Sequence, residues 1–498
     1  YLIRACTSDV TVNLTTHVAI LTGGASFVGS FANFTHAFGG NGNDSLTGDA
    51  NNNTLIGNLG HDHIYGLAGD DNLVGGPGDD ILEGGADNDV YDFELEEDDT
   101  YPWGSDTIID SGGSADVIDF RTSVLGVTFN LGLLTPQVVA SYNAVTMLTL
   151  TLSTASIENL IGGYGDDTLT GSTTDNVIEG YRGDDTLDGG GGINTLSYEH
   201  NTYTGVTVDL GSGTMTNDEV GTDTFSNFQN IRGTFDDDTL IGDANNNILY
   251  GDLGNDTLEG KGGDDTQYGG DGDDTYVFDV DSALGADTII ESAGSDWLDF
   301  SSSTAAVTVN LATTTAQTIS ANLTLTVAGV ENIKGSTNAD TLTGDANDNS
   351  FMGQGGNDTI TGGGGSDTAD YSDTTAGITL TRNSTTFQVV GSEIDTDTLS
   401  GILTIIGGSG ADTFAFDADA LTSESYAVEG GSGSDLLDMA LTASVVVVNL
   451  GILTAQSVVA SKLSLTLTGI ENVTGGNTDN TLTGDDNANI LTGGAGSD

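Results

Sequence analysis

From Gly39 the chain divides by nine without a gap, as GGNGNDSLT, GDANNNTLI, GNLGHDHIY, GLAGDDNLV, GGPGDDILE and GGADNDVYD. So short and strict a period restricts a chain to repeat architectures, in which each unit buries its apolar face only by stacking on its neighbours. A second block begins at Gly162 with GGYGDDTLT, GSTTDNVIE, GYRGDDTLD and GGGGINTLS; a third begins at Gly233 and a fourth at Gly335. Single units stand at Gly407 (GGSGADTFA) and Gly430 (GGSGSDLLD), and a last block runs from Gly475 to Asp498.

Composition says what such a chain can bind. It holds 75 Asp and Glu against 8 Lys and Arg, a formal charge of -67. Charge at that density favours an open chain, yet 36% of the residues are apolar, with Val, Ile and Leu at regular spacing. The cation-free chain is therefore expected to be expanded by repulsion, and a bound cation is what reverses it. No basic patch exists to neutralise phosphates, which excludes nucleic acid as a partner. An anionic membrane surface repels the chain for the same reason, and no apolar run reaches the roughly 18 residues of a membrane span. Cys6 is the single cysteine, so no intrachain disulfide forms; a free thiol, an interchain bond and a lipid attachment stay open. The chain starts at Tyr1 rather than Met and stops in mid-repeat, which suggests a mature or truncated portion of something longer.

The units match GGxGxDxUx, with U a large apolar residue, and so resemble the calcium-binding nonapeptide repeats of the RTX family. The spacing has a physical reading. Gly at positions 1, 2 and 4 permits the backbone of a tight turn and lets carbonyls converge on an ion. Asp at position 6 adds a hard carboxylate oxygen, the ligand type calcium prefers. Positions 7 to 9 make a very short strand whose central apolar side chain points inward. The resemblance implies an all-β fold: a right-handed parallel β-roll or β-solenoid with two nonapeptides per turn. It also implies multiple calcium ions between stacked loops, each shared by units two apart. Carried over at position 6, the ligands are Asp44, Asp62, Asp71, Asp80 and Asp89, then Asp167 and Asp185, then Asp238, Asp256, Asp265 and Asp274. Asp340, Asp358 and Asp367 follow, with Asp412 and Asp435 in the single units. The second unit of each long block carries Asn instead: Asn53, Asn176, Asn247 and Asn349. These read either as weaker, water-filled sites or as end turns that need no full site.

The segments between blocks are related to one another. Residues 106–161 contain SDTIIDSGGSADVIDF, GVTFNLGLLT and IENLIGG; 286–335 and 434–476 repeat that order, and 205–233 and 377–408 are shorter versions. The N-terminal VTVNLTTHVAILTG is the tail of another copy. The alternation in VTVNL and LTLTL has period two and is rich in β-branched residues, so these are strands with one buried face. They are expected to form wider turns of the same solenoid. The division that follows is N-terminal strands at 1–38; repeat blocks at 39–93, 162–198, 233–278, 335–371 and 475–498; and solenoid segments at 94–161, 199–232, 279–334 and 372–474. Asp106, Asp116, Asp287 and Asp296 lie in these segments, as weaker candidate ligands or as solvated turn aspartates. The acidic run Glu94, Glu96, Glu97, Asp98 and Asp99, beside Tyr101-Pro102-Trp103, reads as an exposed loop. IDF, VTFNL and IENLIGG together also resemble the C-terminal β-roll domain of serralysin-type metalloproteases. Their zinc motif HExxHxxGxxH is absent, so nothing catalytic is carried over.

His61 and His63 flank Asp62, but two ligands do not make a zinc site, and they read as surface histidines. His17, His36 and His200 suggest nothing specific. There is no GxSxG elbow, and the carboxylate pairs, such as Asp79–Asp80, fit ion-binding turns better than a glycosidase cleft. No enzyme is expected. RTX resemblance further implies type I secretion to the outside or cell surface of a Gram-negative bacterium. The expected role is a surface-layer, filament or adhesin subunit, a calcium-stapled rod whose copies join head to tail. The alternative is the calcium-dependent accessory region of a secreted protease or epimerase.

Overall fold

The computed structural model describes residues 8–21, 28–30, 34–95, 102–201, 204–217, 220–382 and 385–498. Cys6, the acidic residues 96–99 and Tyr101 lie outside them. Among the described residues the only helical element is one 3-10 turn, Ala418–Ala420; none is a helix long and apolar enough to cross a membrane. The chain forms two compact units, Tyr1–Asp243 with Asn247–Leu253 and Ala244–Asn246 with Gly254–Asp498. The division falls inside the repeat block that starts at Gly233.

In the first unit each nonapeptide contributes one short strand, and successive strands go to opposite sheets. Ser45–Thr47 pairs in parallel with His63–Ala68, placing Ser45 beside His63. Thr54–Ile56 pairs likewise with Asn72–Val74, placing Thr54 beside Asn72. Two nonapeptides therefore make one turn of a parallel β-solenoid. In a three-residue strand of period two only the middle side chain faces inward, and Leu46, Leu55, Ile64, Leu73, Leu82 and Tyr91 are all 0% exposed. The second unit obeys the same rule at Leu342, Phe351, Ile360 and Ala369. Burying one such side chain contributes about 1.5–3 kcal/mol, so a single unit cannot hold itself folded and stacking is obligatory.

The glycines make the turns close enough to stack. Gly78 has φ +153, and a Cβ there would sit 1.4 Å from the carbonyl oxygen of Gly60 in the preceding turn. No L side chain fits that approach.

The segments between blocks continue the ladder as wider turns. Val10–Asn13 stacks in parallel on Ser45–Thr47, Thr128–Asn130 on Thr168–Thr170, and Thr207–Asp209 on Thr239–Ile241. Within the second unit Thr308–Asn310, Thr379–Arg382 and Val447–Asn449 stack in the same way on the strand that opens the next block. The parallel stack holds, but the expectation that the insertions are simply wider turns needs correction here. Gln137–Tyr142 runs antiparallel to Val145–Leu152, turning through Asn143 and Ala144 at φ +50 and +67. Thr379–Arg382, Phe387–Gly391 and Asp395–Ser400 form an antiparallel meander. A segment too long for one turn leaves the ladder and returns as a hairpin, which keeps its backbone groups paired.

Trp103 corrects a second expectation. It is buried and its ring tilts against Phe93, with centres 5.7 Å apart, so it packs in the core and does not belong to an exposed loop.

Candidate functional site

Position 6 closes each turn, because the strand that follows it must leave in register with the turn before. The position-6 side chains are buried to 3% exposure or less throughout the first block, and they are tied together by the backbone. The N–H of Asp44 donates to Oδ1 of Asp62, Asp62 to Asp80, and Asp80 to Asp106. On the opposite side Asn53 donates to Asp71, Asp71 to Asp89, and Asp89 to Asp116. Asp167, Asp185 and Asp223 repeat the relation. In the second unit it links Asp256 to Asp274 and Asp274 to Asp296, and Asp265 to Asp287. It also links Asp340 to Asp358, Asn349 to Asp367, and Asp412 to Asp435.

One carboxylate oxygen is thus used for register, and the other divides the turns into two kinds. In the turn that opens a block it is capped by the N–H four residues earlier: Gly40 to Asp44, Gly163 to Asp167, Thr234 to Asp238, Ser336 to Asp340 and Gly408 to Asp412. The single Oδ1 of Asn53, Asn176, Asn247 and Asn349 takes the same N–H from Asp49, Ser172, Asp243 and Ser336's counterpart Asp345. Asparagine there is a self-capped turn, which favours the end-turn reading over the water-filled one.

In a further set of turns nothing caps the second oxygen. Oδ2 of Asp62, Asp71, Asp80, Asp89, Asp106, Asp116, Asp185, Asp296, Asp358, Asp367 and Asp435 is buried with no hydrogen-bond partner. Buried polar atoms are paired in the great majority of cases, and an ionised one left bare is costly. Burial accordingly pushes Asp62 up to about 7 and Asp80 to about 8. Asp106 and Asp185 rise to about 9, by burial first and then by the neighbouring Asp80 and Asp223 carboxylates. A hard cation is the group that fits rows of bare carboxylate oxygens. Asp106, Asp116 and Asp296 carry this full interior geometry, and Asp287 accepts on the ladder as its neighbours do, so none of the four is a solvated turn aspartate.

Sequence reasoning missed the residues that close the ladder across the insertions. Glu158 accepts from the Asp116 N–H, Glu331 from Asp296 and Glu471 from Asp435, all from the repeated IENL-type motif that was legible only as a strand. Asp223 and Asp397 take the Tyr198 and Tyr371 hydroxyls at 3.0 Å. The histidines do not converge: His61 Nδ1 lies 2.8 Å from the Asp79 N–H, while His63 bonds Glu83 and stacks on Tyr65. His200, read as unremarkable, bonds the buried Glu179 at 2.7 Å.

A family model described as the RTX calcium-binding nonapeptide repeat (4 copies) matches residues 38–73, 65–98, 161–196, 229–258, 250–282, 331–369 and 466–498. No curated protein matches the chain.

Proposed function

This chain carries RTX calcium-binding nonapeptide repeats, with calcium as a cofactor at multiple turns, and from that premise we propose a secreted structural protein that folds as calcium neutralises its aspartate ladder. The observation that carries the reading is the row of buried, partnerless oxygens on Asp62, Asp80 and Asp106 and, opposite, on Asp71, Asp89 and Asp116. In this reading the interior turns hold the ions and the capped turns open each block without one. Calcium, when bound, supplies positive charge and a demand for several oxygen ligands. The chain's own residues do the rest: the glycines let the turns approach, the Asp backbone N–H groups fix their register, and the apolar middle positions exclude water.

The finer role is a surface-layer, filament or adhesin subunit outside a Gram-negative cell, its copies joining head to tail. What supports it is that repeat and inter-block segments alike are committed to the ladder, and no catalytic role enters the reading. A second reading, the accessory region of a larger secreted enzyme, draws on the likeness of the inter-block segments to the serralysin-type β-roll domain. Far-UV circular dichroism with calcium and then chelator tests the folding claim, since a spectrum indifferent to both refutes it. Electron microscopy in calcium separates the two roles: axial polymers favour the structural subunit, and discrete monomers favour the accessory region.

A further inference from the structure

Among the described residues, two places in the ladder hold a third carboxylate that the nonapeptide pattern does not supply. In the first unit Asp110, the residue after strand Gly104–Ile109, brings a carboxylate oxygen to Asp89 and Asp116, the three ligand atoms lying within 4.8 Å of one another. All three residues are at most 1% exposed, and the Oδ2 of each has no hydrogen-bond partner. Asp110 is held in place by Tyr91, whose hydroxyl donates to Asp110 Oδ1 at 3.1 Å and accepts the Gly84 N–H at 3.0 Å. Room for the group depends on Gly113, where a Cβ would stand 2.4 and 2.6 Å from the two Asp116 oxygens and 2.6 Å from the Asp87 carbonyl oxygen.

The second unit repeats the arrangement at the matching place in its inter-block segment, where TIIE replaces TIID. Asp274, Glu291 and Asp296 form the other three-carboxylate group, and the Tyr276 hydroxyl bonds both Glu291 and the Gly269 N–H. The third copy is an internal control. Phe414 stands where the tyrosines stand, Gly430 stands where Asp110 stands because Glu429 pairs with Ile406 as Ile109 pairs with Glu83, and among the described residues no three-carboxylate group forms there.

We propose that Asp89, Asp110 and Asp116, and separately Asp274, Glu291 and Asp296, are tyrosine-braced three-carboxylate calcium sites that fill before the two-carboxylate turns of the repeats. The extra carboxylate raises the ligand charge on one ion, and charge count is one of the terms that set calcium affinity. The inference rests on the calcium reading above, but it turns on Asp110 and Glu291, which lie outside the repeat.

Isothermal titration of the full chain with calcium, followed in parallel by circular dichroism, tests it. Wild type should show a small tight class of sites ahead of the main class. Asp110→Asn with Glu291→Gln, which keeps acceptors for the tyrosine hydroxyls, should remove that tight class while calcium still induces β-structure. Tyr91→Phe with Tyr276→Phe keeps the buried rings and should weaken the tight class by about tenfold, through lost preorganisation and not lost charge. A carboxamide variant with the tight class intact overturns the proposal, while a wild type indifferent to calcium overturns the calcium reading itself. If the carboxamide variant does not fold, the phenylalanine variant decides: weakened tight binding supports the sites and unchanged binding overturns them.

Discussion

The backbone N–H of Asp62 donates to Oδ1 of Asp80 at 2.7 Å, across one turn of the solenoid. Asp80 therefore offers two oxygens for two jobs, since Oδ1 sets the register of the preceding turn and the partnerless Oδ2 suits a cation. Substitutions can separate those jobs.

Asp80→Asn retains an acceptor for Asp62 and removes the charge, so the calcium midpoint for folding should rise with the register kept. Asp80→Ala also strands the Asp62 N–H, adding about 1–3 kcal/mol of destabilisation. Calcium titrations followed by circular dichroism should rank wild type, Asn and Ala in that order; equal midpoints for Asn and Ala would remove the register role.

Acid should substitute in part for calcium. The folded-state values of Asp62, Asp80, Asp106 and Asp185, about 7 to 9, lie above the unfolded value of about 3.9. The unfolded chain thus binds fewer protons than the fold, and stability falls as pH rises. That contribution is fully present below about pH 3.9 and is lost as pH climbs through about 7 to 9. In chelator, β-structure should be greatest in acid and disappear over that window, whereas a pH-independent spectrum would contradict the raised carboxylates.

Glycines at different positions should differ sharply. Gly78→Ala sets a methyl 1.4 Å from the Gly60 oxygen, whereas a Cβ at Gly364 meets nothing nearer than 3.6 Å. Gly78→Ala should abolish calcium-induced folding, and Gly364→Ala should shift the melting temperature by only a few degrees. Similar effects at the two positions would show that the turns do not stack this closely.

Gln267 occupies an inward position, is 0% exposed, and neither its Oε1 nor its Nε2 has a hydrogen-bond partner. A buried amide left unpaired costs about 1–3 kcal/mol, so Gln267→Leu should raise the melting temperature in calcium. A lower melting temperature would mean that the amide has a polar role in the core.

The inward residues and the aspartate of each nonapeptide were legible because both sit at fixed places in a fixed period. Leu46 and Asp62 needed nothing but counting. Asp110, Glu158 and Asp223 were not legible as ladder members, because each arrives after an insertion of different length and only the fold shows which turn it rejoins. The hairpin return of Gln137–Tyr142 and Val145–Leu152 escaped notice for a related reason: period-two alternation marks a strand without giving its direction. The Glu of IENL offered one usable signal, an acidic or amide residue recurring just before the same Asn at 159, 230, 332 and 472.

The hydrogen bonds between successive aspartates all run one way, with the donor in the earlier turn and the acceptor in the later one. The stack is therefore not equivalent at its two broken faces. Cutting away later turns leaves a row of backbone N–H donors at the broken face, while cutting away earlier turns leaves a row of carboxylate acceptors. The two ends of such a stack are therefore chemically complementary, one offering donors and the other acceptors.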